Sequence, residues 1–257
     1  MTHSIFILAA HTCREHFRNR SFIVTIVFSL LMLYMSLLLG ALAIEQEQRV
    51  LMDFGLSFIE LMGFGLALWG SATGILQEME NKTIYLILSR PISRWSYLVG
   101  RYCGLLASVS AACVAMGALH LGILFYKGWA WQPVYGLGFC GILLKLSLAC
   151  ALGQFWSLAS TSALSGLTIT AIMWLLGHFI PEINFLVRRT DDRMAAVPML
   201  ALAYILPNLQ LFNFRDRLHI PSATGFAEPL MPAAAYVLVY AASWLFLSYL
   251  FFRKKEL

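Results

Sequence analysis

Two ionisable side chains, Glu60 and Lys145, sit inside long apolar runs, where a membrane would bury them. A charge at the centre of a bilayer costs about 2.5–3.5 kcal/mol on insertion scales, so such residues find a partner or do work. A lysine stem reaches several ångströms, so a Glu60–Lys145 pair across neighbouring helices could fix packing or serve a transport path. His120 and His178 lie near the ends of their runs and read as satisfied interfacial histidines rather than ligands. Ser165, in Ala163-Leu164-Ser165-Gly166, together with His178 suggests an intramembrane hydrolase. The spacing rejects it: thirteen residues along one helix put the two roughly 20 Å apart, and a nucleophile must reach its base. The small polar cluster Ser160–Thr170 fits close helix packing instead. Five cysteines, without a CxxC or CxxCH motif, support neither a metal or haem site nor a disulfide framework. No Gly-Lys dipeptide occurs, so the chain has no P-loop for nucleotide phosphates.

These residues need helices to place them. The chain is 60% hydrophobic and 12% charged over 257 residues, against about 45–50% and 25% in soluble domains. Lipid must replace water around most of it. The net charge of +5 fits basic flanks facing anionic lipid rather than nucleic acid. A span needs roughly 20 apolar residues, and six runs qualify: Phe22–Ile44, Phe54–Leu76, Tyr97–Phe125, Val134–Ser157, Ala163–Ile180 and Met231–Phe252. Each must be helical to satisfy its own backbone. The first run is long and lacks a small-residue cleavage site, so it reads as a span rather than a signal peptide. The expected fold is an all-α integral membrane protein, a single permease-like domain over residues 1–257.

Ahead of the first span, residues 1–20 predict an amphipathic interfacial helix. Phe6, Ala10, Cys13 and Phe17 form one stripe, and His11, Arg14, Glu15 and Arg18 take the other side. The distribution of basic residues places both termini in the cytoplasm. Residues 182–230 then form an external cap. Within it Pro198–Phe214 is too short to span, and Pro207 interrupts it, so it is expected to lie at the surface or re-enter.

Residues 77–96 predict a cytoplasmic loop. Asn81 can cap a short helix over Lys82–Leu88, Pro91 breaks it, and Ser93 can cap the next span. Ile84, Leu86, Ile87 and Leu88 are too apolar for a bare solvated connector, so the chain's own helices or a partner should cover them.

The stretch E-x-E-x-x-T-I-x-L-x-L-S-R-P-I-S-R-x-x-Y-x-x-G-R resembles the loop between spans two and three in permeases of the type-2 (export) class of ABC transporters. The matching positions are Glu80, Thr83, Ile84, Leu86, Leu88, Pro91, Ile92, Ser93, Arg94, Gly100 and Arg101, the last standing where the family usually has lysine. The basic Arg18-Asn19-Arg20 before the first span and the outer cap before the last also fit. Leu206–Asp216 is similar to the subgroup of nitrous-oxide-reductase maturation and gliding-motility permeases. The resemblance implies that Glu80, Thr83, Ile84, Leu86, Leu88, Arg90, Pro91 and Arg94 form a coupling helix that docks on a separate ATPase. It also implies two ATPase copies carrying ATP and Mg2+, a second permease chain (identical or homologous), and residence in a bacterial inner membrane. This chain would then need no cofactor or metal of its own and catalyse nothing itself. A periplasmic or membrane accessory protein could contact the cap.

A secondary transporter or channel independent of ATP is the competing class. It predicts ionisable residues aligned through several spans. A membrane enzyme or assembly scaffold has no workable catalytic constellation behind it. Peptide, lipid, metal and sulfur species all stay open as substrates.

Overall fold

In hydrocarbon, a backbone that cannot reach water must bond to itself, and every long apolar run here does so as a helix. The structure is a computed structural model, and it describes residues 2–42, 47–81, 93–189, 193–214 and 227–254. In chain order the described helices are α1 (Thr2–Arg18), α2 (Arg20–Leu42), α3 (Glu47–Glu80), α4 (Arg94–Tyr126), α5 (Pro133–Ala159), α6 (Ala163–His178), α7 (Ile180–Arg189), α8 (Arg193–Ile205) and α9 (Ala227–Lys254). A 3-10 turn, Leu209–Phe212, lies between the last two. No strand occurs among the described residues.

Five of these helices are long and apolar enough to cross a bilayer. A sixth crossing exists only if α6 and α7 count as one span, bent by 61°. The fifth apolar run, expected to continue to Ile180, stops at His178 after 16 residues. At 1.5 Å per residue that is about 24 Å, short of a hydrocarbon core of about 30 Å. The second run differs in the other direction: α3 continues through Gln77 to Glu80, residues expected to begin the loop.

Helices α3, α4 and α5 form the centre. Helix α2 packs on α3, α9 packs on α5, and α6 closes against α3 and α5. Buried polar bonds join the central helices: Gln154 donates to the Leu98 carbonyl at 3.0 Å, and the Tyr102 and Ser147 hydroxyls meet at 2.6 Å. The starts of α4 and α6 follow local capping rules. Ser93 and Ser162 are extended and accept from the amides of Ser96 and Ser165.

Helix α1, the end of α9 and both stems of the 82–92 segment lie at one end of the bundle. Helix α1 lies across the start of α4, and Arg94 reaches the final carbonyls of α9. At the opposite end, the 3-10 turn packs on α5 and α6 as a lid, with α7 against the turn and α8 against α7. Helix α8 ends before Pro207, as expected where proline disfavours the α conformation just ahead of it, and the 3-10 turn follows. Leu206, Leu209, Phe212 and Phe214 are buried. The lid's backbone presses on Gly141 of α5 and Gly177 of α6. A Cβ at Gly177 would lie 2.7 Å from the Pro207 oxygen, and one at Gly141 would collide with the Phe212 oxygen. Tyr236 accepts from the Asn208 amide at 3.0 Å, and Tyr240 donates to the Ile205 carbonyl. The short, proline-interrupted element expected over Pro198–Phe214 is therefore a helix beginning at Arg193 plus a separate inserted turn.

Candidate functional site

Two clusters of charge are built into this frame, one at each level of the bundle. The first lies at the loop end. Arg101 is about two turns into α4, and its side chain is only 5% exposed. A buried guanidinium needs several acceptors, and two helices, α1 and α3, supply them. Arg101 donates to Glu15 on α1 at 2.8 Å and to Thr12 on α1 at 3.3 Å, and it also pairs with Glu78 on α3. Tyr97 donates to the other oxygen of Glu78. Glu78 is 14% exposed and Glu15 47%, so the first is the enclosed partner and the second the open one.

Glycine lets α1 come this close. A Cβ at Gly104 would lie 2.6 Å from the Ala9 carbonyl, and one at Gly100 would lie 2.7 Å from the Leu8 Cβ. The docked face of α1 therefore runs through Ile5, Leu8, Ala9, Thr12, Glu15 and His16, at helical spacing. Phe6 and Phe17 of the expected apolar stripe stay exposed. The helix thus has a third face that sequence reasoning missed, and Glu15, assigned there to the polar side, belongs to it. Thr12 could have signalled it as a small polar residue facing a Gly-x-x-x-Gly helix. His16 lies against Gly70 of α3, and its Nε2 is buried without a hydrogen-bond partner. Burial pushes its pKa down; Glu15 opposes this and Arg101 reinforces it.

The sequence-predicted loop residues divide. Thr83, Ile84, Leu86, Leu88, Arg90 and Pro91 lie outside the described residues. Glu80 is the last helical residue of α3. Arg94 donates to the Phe252 and Arg253 carbonyls, both at 3.1 Å, and stacks over the Phe252 ring. A cation on the last carbonyls of a helix satisfies them and complements the dipole. The chain's own last helix thus receives Arg94.

The second cluster lies deep between α3, α5 and α6. Lys145 donates to Glu60 at 2.8 Å, with side-chain exposures of 2% and 10%. The sequence places these two 85 positions apart; packing of α3 against α5 brings them together. His178 joins them, its Nε2 lying 3.4 Å from both Lys145 Nζ and Glu60 Oε1. It is therefore part of a charge cluster rather than an isolated interfacial histidine. His120, by contrast, is buried and satisfied by Tyr135 and the Leu51 carbonyl. Ser165 bonds within its own cap at the far end of α6 from His178, which leaves the hydrolase geometry unmade. No group of His, Cys, Asp and Glu suited to a metal ion occurs among the described residues.

Among the described residues, both clusters join neighbouring helices through buried charges. A comparison with curated proteins returns no match. The family model described as ABC-2 family transporter protein matches residues 6–257. With that match over nearly its whole length, on an all-helical frame of five or six candidate spans, the chain belongs to the ABC-2 family of transporter membrane proteins.

Proposed function

We propose that this chain is the transmembrane subunit of an ATP-driven transporter, with the 82–92 segment docking on a separate ATPase that binds ATP and Mg2+. Two permease chains and two ATPases make the working assembly. Both termini and the loop face the cytoplasm of a bacterium, and the lid faces outward. The sequence of Leu206–Asp216 supports kinship with the maturation and gliding-motility permeases.

One observation carries the reading. The segment expected to meet the ATPase leaves α3 just after Glu78 and returns just before Tyr97 and Arg101, and these three side chains are bonded together. A push on the loop would therefore reach α3 and α4 as one unit. The same guanidinium ties that unit to α1, and Arg94 ties the loop's return stem to α9. Such a junction suits a chain driven from outside better than one driven by ion movement along its own spans. Glu60 and Lys145, the charges placed deep by the sequence, neutralise each other.

The test is affinity purification of the full chain from its native membranes, with Glu80→Ala and Arg94→Ala variants beside it. An ATPase subunit should accompany the wild type. Each variant should lose several-fold in bound ATPase or in transport per ATP hydrolysed. A wild-type chain that transports with no ATPase attached would defeat the proposal.

A further inference from the structure

We propose that one water molecule, held in a small polar cavity where α1, α3, α4 and α5 meet, completes the docking of α1 by joining His16 to the central helices. The inference does not depend on how the transporter is powered. It starts from an atom with no partner. Among the described residues, His16 Nε2 is buried and makes no hydrogen bond. Buried polar groups are almost always bonded, to protein or to ordered water. Burial holds the pKa of this ring below its ordinary 6.5. At neutral pH the ring is therefore uncharged, with one N–H and one bare nitrogen. In either tautomer Nε2 calls for a partner, which it meets as donor or as acceptor.

That nitrogen lies at a cavity. A Cβ at Gly70 on α3 would lie 2.7 Å from it. Gly70 lines a space with about 10 Å³ open to the centre of a water molecule, and Thr12, His16, Ser71, Arg101 and Gln154 line it too. Room on that scale takes one water, and a polar wall makes such a site wet where an apolar one stays dry. The bonds already made fix what each wall residue can still offer. The Ser71 hydroxyl donates to the Leu68 carbonyl at 2.9 Å, so it has lone pairs left. Gln154 gives its amide N–H to the Leu98 carbonyl at 3.0 Å, and its oxygen remains to accept. The Thr12 hydroxyl accepts from Arg101 at 3.3 Å and keeps its hydrogen to give. Arg101 only donates.

Water, with two hydrogens and two lone pairs, suits this mixture of donors and acceptors. A metal cation would face the Arg101 guanidinium, and an anion would face the oxygens of Ser71 and Gln154. The site also stands where a further tie is useful. The bonds described above fasten α1 to Arg101 on α4. His16 comes from α1, Ser71 from α3 and Gln154 from α5, so a water on Nε2 extends the hold of α1 to the other central helices.

The direct test is an experimental structure of the full chain in nanodiscs, at a resolution that shows ordered water. One density peak should lie within hydrogen-bond distance of His16 Nε2 and of Ser71 Oγ, Gln154 Oε1 or the Arg101 guanidinium. An empty cavity, or a direct bond from Nε2 to protein, would overturn the proposal. The second test reads the docking of α1 as the labelling rate of a cysteine placed at Leu8, which packs against Gly100 of α4. Rates are corrected for the native cysteines with the parent chain. Ser71→Ala and His16→Leu should each speed labelling about threefold or more, the scale of one hydrogen bond. Combined, they should be no faster than the quicker of the two, because either change removes the same bridge. Single variants that leave the rate unchanged, or effects that multiply, would also sink the idea. The density readout needs no substitution, so it holds even if a variant fails to fold.

Discussion

Removing one member of a buried ion pair strands the other, and both clusters are subject to that rule. Arg101→Ala leaves enclosed Glu78 without its cation and should cost about 3–5 kcal/mol, read as a drop in the unfolding midpoint in detergent. Glu15→Ala removes a partner that is about half exposed and should cost less than about 1 kcal/mol. Its effect should fall on transport per ATP instead, because it loosens the tie of α1 to Arg101 while α3 and α4 stay joined. In the deep cluster, Glu60→Leu or Lys145→Met alone should cost about 3–5 kcal/mol, and the double variant should recover most of the loss. Recovered stability without recovered transport would give the pair a role beyond packing. Sequence made both residues visible as charges in apolar runs. It could not show His178 beside them, because that contact depends on α6 stopping short and on its end packing between α3 and α5.

At the scale of elements, α1 is held by shape as much as by charge. Gly104→Val would push a side chain into the Ala9 carbonyl. It should expel the helix, read as faster labelling of a cysteine placed at Thr12. Acid should act in the same direction through His16, and the sign follows from its depressed pKa. Free of the bundle, the ring takes up a proton near its ordinary 6.5; docked, it does so only at lower pH. Docking is therefore at full strength above that value and weakens as pH falls below it, and His16→Gln should flatten the response. Spans were easy to read because hydrocarbon leaves a chain no alternative to helix. The docked face of α1 was not, because its residues are small or polar: Ala9, Thr12 and Glu15 carry no hydrophobic signal and are chosen by the glycines they meet. The lid was legible in kind, through Pro207 and the shortness of its run, but not in its division into a helix and an inserted turn.

For the whole molecule, the contacts put α1 and the end of α9 at the end that carries the loop stems, and the lid at the other. Impermeant labelling of a cysteine at Arg189 from outside, with one at Lys82 reached only from inside, is the expected pattern; the reverse would invert the orientation. The junction at Arg101 also has an order in time. Its bonds to α1 span 86 and 89 residues, so the first helix is made well before its seat exists. At about 5–20 residues per second, it waits several seconds for α4 to leave the ribosome. Arg94 waits longer, since its acceptors lie 158 and 159 residues downstream. During synthesis the membrane surface is the natural holding place for α1, with exposed Phe6 and Phe17 on the face turned to lipid. A chain interrupted before its last helix would carry a loop stem still lacking its anchor, and so would present an incomplete surface to any partner that assembles there.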